Sequence, residues 1–189
     1  MEIITKRFVL REFTEKDEPA FLTYHGDPRY AEFCSPEEVE ADYTTELLRQ
    51  FIQWAHEQPR RNYQLAVIRL ENPKELLGCC GLRTEGYDAD IAELGIELAP
   101  QYWGRYRYAI EVASAMLKFG FGELGLQEVR GVTISANTRV TRLAHRYGFV
   151  AVSSCPGSDW MHTRGWNQTQ WQLTREKWES MLTQIRVKQ

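Results

Sequence analysis

Nowhere in the 189 residues does an apolar run reach the roughly 18 residues that a membrane-spanning helix needs. Residues 1–7 lack the apolar core of a secretory signal, so a cytoplasmic location is expected. Cysteine is scarce, with four residues at 34, 79, 80 and 155 and no Cys-x-x-Cys pair. That argues against a disulfide framework and leaves buried, reduced thiols as the expectation. The sequon Asn167-Gln168-Thr169 then carries no consequence. Histidines 25, 56, 145 and 162 form no His-x-x-x-His pair, so no metal site is expected. There is no Gly-x-x-x-x-Gly-Lys-[Ser/Thr] and no Gly-x-Ser-x-Gly, which removes the P-loop and the hydrolase nucleophile elbow. Excess positive charge is missing too: 23 Lys and Arg against 26 Asp and Glu give a net charge of −3. General nucleic-acid binding and anionic-membrane binding both want a basic face and are disfavoured. Internal repeats and low-complexity tracts are absent.

What remains is a folding composition, 43% hydrophobic and 26% charged, of a length expected for a single domain spanning 1–189. Strand signals fall at 6–13, 63–70, 76–84 and 91–98, with Phe8 and Leu10 on one face of the first. Short polar turns between the later three imply antiparallel neighbours. Thr14-Glu15-Lys16-Asp17 opens a short helix to about Tyr24. Ser35-Pro36-Glu37-Glu38 starts a second, with a core stripe of Val39, Tyr43, Leu47, Phe51 and Trp54. After Pro100 a loop leads to a long helix over 108–124. Then come a strand (128–135), a helix (137–147), strands at 149–154 and 166–173, and a terminal helix from Thr174. Helical crossovers join parallel strands, so the sheet is mixed.

Gly120-Phe121-Gly122-Glu123-Leu124-Gly125 matches Gly-x-Gly-x-x-Gly. It ends a helix and precedes a strand, the reverse of a dinucleotide fingerprint, and reads as a helix terminus. The segment from Ile91 to Phe149 is more informative. A strand ends at Ala99-Pro100, and the loop Gln101-Tyr102-Trp103-Gly104-Arg105-Tyr106-Arg107 feeds a helix containing Ile110-Glu111-Val112. Unpaired N–H groups at a helix start suit a phosphate, and Gly104 would let it approach the backbone. An ordinary strand-to-helix connection with a turn glycine explains the same spacing.

Ala92-Glu93-Leu94-Gly95-Ile96-Glu97-Leu98-Ala99-Pro100-Gln101-Tyr102-Trp103-Gly104-Arg105 resembles the core motif of the GNAT superfamily of acetyl-CoA-dependent N-acetyltransferases. Within it the chain resembles the branch of ribosomal-protein alanine/serine N-terminal acetyltransferases and spermidine acetyltransferases. Phe8 to Asp17, Leu77-Gly78-Cys79-Cys80-Gly81-Leu82, Leu124 to Val129, Asn137, Tyr147-Gly148-Phe149 and Leu173 to Trp178 fit the same ordered pattern. The resemblance implies an α/β (α+β) fold with a mixed, mostly antiparallel splayed sheet and flanking helices. It implies acetyl-CoA as co-substrate, between the 91–98 strand and the next. Leu98 and Ala99 would pair with the pantetheine arm. Gln101, Gly104, Arg105, Tyr106 and Arg107 would hold the pyrophosphate. Asn137 would contact the arm, cap its helix, or do both. The acceptor would be a protein N-terminus, a polyamine or another small amine, and the resemblance allows a homodimer.

Departures from the family pattern qualify this. With one extra loop residue, Arg107 stands where the family loop has glycine; its side chain would bind phosphate, or the site is damaged. Val140 and Ala144 replace a family Ser and Tyr, leaving His145 or Tyr147 as proton donor or as ordinary surface and packing residues. These changes motivate a second reading, a weakened acyl-CoA-binding or interaction module. The family reaction is direct attack of a neutral amine on the thioester. Glu93 and Glu97 share one strand face and are the candidate bases; a merely solvated strand face explains them equally. Tyr30, Glu32 and Phe33, with Trp160, His162 and Trp166, would form an acceptor pocket or simply pack.

Overall fold

The structure, a computed structural model, describes residues 1–187, with side chains described except at position 106 and over 184–187. Its elements are β1 (Glu2–Ile4), β2 (Phe8–Glu12), α1 (Glu18–His25), α2 (Pro28–Ala31), α3 (Ala41–Trp54), β3 (Asn62–Arg69), β4 (Asn72–Arg83), β5 (Ile91–Leu98) and α4 (Tyr106–Lys118). There follow β6 (Glu128–Ile134), α5 (Thr138–Arg146), β7 (Val150–Pro156), α6 (Asp159–His162), β8 (Asn167–Thr174) and α7 (Arg175–Val187). The expected class holds: mixed α/β, mostly antiparallel, with helices alongside the strands. Residues 1–85 with 94–116 form one compact unit, and 86–93 with 117 onward form another. Among the described residues no helix is long and apolar enough to cross a membrane.

In the first unit β1, β2, β3 and β4 pair antiparallel in sequence order. Alternation on β2 buries Phe8 and Leu10, and Leu65, Val67, Leu77 and Leu82 of the next two strands are buried as well. β4 is covered on both faces, so Cys79 and Cys80, which point opposite ways, are both buried free thiols. Phe21, Leu48 and Phe51 from the first helices, and Val112, Ala113 and Met116 from α4, complete this core.

Two features fix the last part of β5 and the start of α4. The Ala99 N–H donates to the Leu77 carbonyl at 2.7 Å, tying the end of β5 to β4. Beside it Gly78 has φ +151°, and a Cβ there would lie 2.2 Å from the Glu97 carbonyl oxygen and 2.8 Å from Leu98 Cα. Only a residue without a side chain lets the strands approach so closely. Near the head of α4, Glu111 accepts from the Arg7 N–H, the Arg7 Nε and the Thr5 hydroxyl, all at 2.7 Å.

In the second unit Ile91–Glu93 runs parallel to β6, with Ala92 opposite Val129 and Glu93 opposite Arg130. β8 lies antiparallel to both β6 and β7. Leu126, Val129, Trp171, Leu173 and Trp178 are buried. The Gly-x-Gly-x-x-Gly stretch is a helix terminus, as expected: Phe119–Glu123 widens into one π-helical turn and Gly125 comes next at φ +72°. Arg175 Nη2 bonds the carbonyls of Phe121 and Leu126, both at 2.6 Å, and so takes up acceptors freed at that ending.

Several expectations need correction. The second long helix starts at Ala41, not at Ser35. Glu38 and Ser35 do bond each other's N–H groups, at 2.7 and 3.3 Å, but the box closes a turn rather than a helix. The buried stripe is therefore Thr44, Leu48 and Phe51, while Val39 and Tyr43 are exposed. α4 begins at Tyr106, two residues before the expected start, so Tyr106 and Arg107 belong to its first turn and not to the loop. β1 and α6 went unread because three or four residues carry no periodicity.

Candidate active site

The densest set of polar groups in the first unit surrounds Glu97, one residue from the end of β5. Its Oε1 accepts the Tyr24 hydroxyl and faces His25 Nε2 at 3.2 Å. Its Oε2 accepts the Tyr30 hydroxyl at 2.8 Å. The Cys79 thiol also bonds the carboxylate, and the Gln64 amide N–H donates to its sulfur at 2.9 Å. Burial pushes the Glu97 carboxyl up, but hydrogen bonds from His25, Tyr24 and Tyr30 more than offset this and hold it at about 2. Burial, then the Glu97 charge, pushes both tyrosines up, so they stay protonated donors. The Glu97 side chain keeps 29% exposure, while that of His25 keeps 4%. The result is an ionised carboxylate, fixed by hydroxyl, thiol and imidazole groups and reachable from one side.

The main chain just beyond Glu97 is partly engaged. The Leu98 carbonyl accepts the Trp103 indole N–H at 2.7 Å, and the Ala99 carbonyl accepts the Tyr102 N–H at 2.9 Å. With the Ala99 N–H held by Leu77, three of the groups expected to meet a pantetheine arm have partners within the chain. Pro100–Tyr102 makes a 3-10 turn carrying the exposed Gln101, then Gly104 turns at φ +81° with nothing within 4 Å of where a Cβ would sit. That leaves an open cradle at the start of α4, where the dipole is positive, although the Arg105 and Tyr108 N–H groups already donate to the Tyr102 and Arg105 carbonyls at 3.2 and 2.8 Å. Arg105 and Arg107 are exposed beside it. Arg107 takes an ordinary helical φ, since no described non-glycine residue has positive φ, so its backbone conformation does not call for glycine.

The cradle's inner wall is a phenol ringed by cations. Tyr108 OH accepts from Arg69 Nη1 at 3.3 Å and Arg105 Nη1 at 3.4 Å, and the Arg7 guanidinium lies 4.7 Å from its ring centre. Arg69, then Arg105, lowers the phenol from its usual range. Arg69 is neutralised by Glu75 at 2.7 Å and Arg7 by Glu111.

The other predicted site residues are placed elsewhere. Glu93 lies in the second unit and accepts the Tyr87 hydroxyl at 3.2 Å. Asn137 caps α5, its Oδ1 accepting the Val140 N–H at 3.4 Å. Tyr147 ends that helix, buried, with its ring 6.2 Å from Trp178. Tyr106 opens α4, and its side chain lies outside the described residues. Of the expected pocket residues, Tyr30 reaches Glu97, Phe33 packs 6.2 Å from Trp103, and Glu32 ends α2. Trp160 and Trp166 meet at 6.2 Å in the second unit, under the Arg164 guanidinium; His162 closes α6.

Residues 7–150 match the family model described as an acetyltransferase (GNAT) domain, which spans every element from β2 to α5. The chain belongs to the GNAT acetyltransferase family. It is an acyltransferase enzyme of the N-acetyltransferase kind. Among relatives, an N-acetyltransferase of Bacillus subtilis known as YoaA is 28% identical over 146 residues, 77% of this chain and 80% of that protein. A GNAT-family acetyltransferase from Bacillus anthracis superposes with a TM-score of 0.75 at 24% identity, covering 93% of this chain and 99% of that one. The spermidine N-acetyltransferase of Vibrio cholerae, solved with CoA and spermine, gives 0.71 at 19% identity over 90% and 97% of the two chains.

Within this GNAT chain, Glu97 was legible from strand period, but Tyr24, His25, Gln64 and Cys79 were not. Tyr24 and His25 sit on a helix of eight residues, and their partner lies more than 70 positions away. Nothing local marks them, apart from a histidine beside a tyrosine on a short helix.

Proposed function

We propose that this enzyme transfers an acetyl group from acetyl-CoA to the primary amine of a small, cationic molecule. The phosphate arm would lie on the α4 head, and the amine would meet Glu97. One observation carries the reading: a carboxylate held ionised at the end of β5, seven residues before a glycine cradle at a helix start. Acetyl-CoA supplies the thioester carbonyl that the amine attacks. The chain's own work is to bind, orient and manage charge. Gly104, the N–H groups opening α4, and Arg105 and Arg107 suit the pyrophosphate. Leu98, Ala99 and Gln101 flank that path, and we keep Asn137 as a contact for the cofactor arm. Glu97 would attract and orient an ammonium and ease its proton away through water as the amine becomes a nucleophile. Glu93 is the weaker alternative, and Tyr147 is retained as a candidate donor to the leaving thiolate. The Vibrio cholerae neighbour acts on spermidine, which favours the small-amine side of the family over protein N-termini. A cytoplasmic setting, expected from the N-terminal residues and the cysteines, and a homodimer, allowed by the family resemblance, belong to this proposal. The weakened-module reading rested on the altered loop and on Val140 and Ala144 in place of a family Ser and Tyr; Arg107 lies within α4, which bears on the first of these only.

Thermal denaturation with added CoA tests the reading first. At a hundred times its dissociation constant, CoA or acetyl-CoA is expected to stabilise the fold by about 2.7 kcal/mol. Thiol release should then occur with spermidine, spermine or a simple alkylamine, and more weakly with peptides beginning in Ala or Ser. No CoA shift would sink the proposal. A second expectation concerns the arginines: Arg105→Ala with Arg107→Ala should weaken CoA binding about tenfold, since a charge-assisted hydrogen bond is worth roughly 1.5 kcal/mol or more. Titration calorimetry at two salt concentrations would read this, and unchanged affinity would remove both residues from the site.

A further inference from the structure

We propose that His25 is a positioning residue of the acceptor site, with its Nε2 aligning the Glu97 carboxylate toward the incoming amine. This rests on the role given to Glu97 above. Three observations support it. First, His25 is a polar side chain only 3% exposed, wedged between the rings of Phe21, Tyr24 and Tyr30 at 4.3, 4.6 and 4.5 Å. A residue kept there for packing alone would be better served by an apolar ring. Second, among the described residues its one polar partner is Glu97, at 3.2 Å, while Nδ1 is buried with no hydrogen-bond partner. A nitrogen left unmatched in the core calls for a reason, and the other nitrogen's hold on a carboxylate supplies one. With a proton on Nε2, the ring donates to Glu97; this proton is assigned from the partners. Third, the two tyrosines approach Glu97 from α1 and α2, so His25 is the imidazole in an otherwise phenolic and thiol shell.

The groups facing Glu97 from each packed element are Tyr24 and His25 of α1, Tyr30 of α2, and Cys79 of β4. Cys34, in the turn after α2, and Tyr43 of α3 feel its charge from farther off. His25 heads the donors that hold the carboxyl low against burial. Without it, burial gains and the carboxyl takes up a proton at higher pH.

The test tracks stability and activity against pH in the whole chain for wild type, His25→Phe, His25→Gln and Glu97→Gln. Folding lowers the Glu97 carboxyl from 4.5 to about 2, so its contribution to stability is present above pH 4.5 and is lost as pH falls toward 2. In His25→Phe the corresponding acid break should move up by about one to two pH units, in melting temperature and in the acid side of kcat/KM. His25→Gln, which restores an N–H donor, should bring it back toward wild type. In a Glu97→Gln background, His25→Phe should leave the break unmoved. A merely structural His25 would lower stability equally at every pH and shift no break, and that result overturns the proposal. The melting curves need no acceptor, so failure of the enzyme reading (no CoA shift, no thiol release) stays distinct from failure of the His25 role.

Discussion

Gly78→Ala is expected to lower the melting temperature by about 6–12 °C and to remove acetyl transfer. Its new Cβ would stand 2.2, 2.8 and 2.9 Å from the Glu97 carbonyl oxygen, Leu98 Cα and the Glu97 carbonyl carbon. All three are backbone atoms, so no side chain can rotate away. The φ of +151° adds strain for any L side chain. Overpacking and backbone strain each cost about 1–3 kcal/mol, which makes a loss of about 3 kcal/mol or more reasonable. In a protein of this size each kcal/mol moves the midpoint by roughly 2–4 °C. The displaced atoms carry Glu97 and lead into Leu98, so whatever fold survives has its acceptor side out of place. Gly122→Ala is the control: nothing lies within 4 Å of its Cβ, and its φ is outside the left-handed region. Differential scanning calorimetry of the two variants decides the matter. Near-equal melting temperatures would show that β4 and β5 can separate there without penalty.

Glu97→Gln should cut kcat/KM for the amine by at least about 100-fold, the lower end of what a positioned acid or base contributes. The amide keeps the shape but loses the charge that draws an ammonium and eases its proton away. Affinity for CoA should be unchanged, because Gly104, Arg105 and Arg107 are untouched. Only one of the two oxygens would remain, so either Tyr30, or Tyr24 and His25 together, would now face an amide donor. Leaving a buried polar group unmatched costs roughly 1–3 kcal/mol, so the variant should also melt earlier. Steady-state kinetics with saturating acetyl-CoA, beside a CoA titration, separates the two effects. Full activity in Glu97→Gln would move the chemistry to another group, with Glu93→Gln the next variant to make.

Much of the fold could be read in advance because its signals are local. Alternation placed β2 and β5, and the bounds of β5 came out residue for residue. Polar turns gave the antiparallel order of β3 and β4, and Asn137 announced α5 as its cap. The second helix was misplaced because Ser-Pro-Glu-Glu is equally good at closing an isolated turn, and only the packing of residues beyond Glu40 separates the two. Arg107, where the family loop has glycine, stands inside α4 because the helix starts sooner than the motif spacing suggests. Half of the candidate acceptor site came from strand period: a carboxylate on the polar face of β5. The other half, the two phenols, the imidazole and the thiol, comes from α1, α2 and β4, brought together only by the folded chain. No spacing rule reaches across such distances.

The Glu111 clamp has a bearing on how the molecule comes into being. Its carboxylate grips the backbone of Arg7, a residue 104 positions earlier. Contacts of such separation form late, after nearer hairpins have closed, because the loop between must first be ordered. The head of α4, the proposed seat of the cofactor, is thus expected to be completed only when this contact closes, and retention on immobilised CoA should report complete folding.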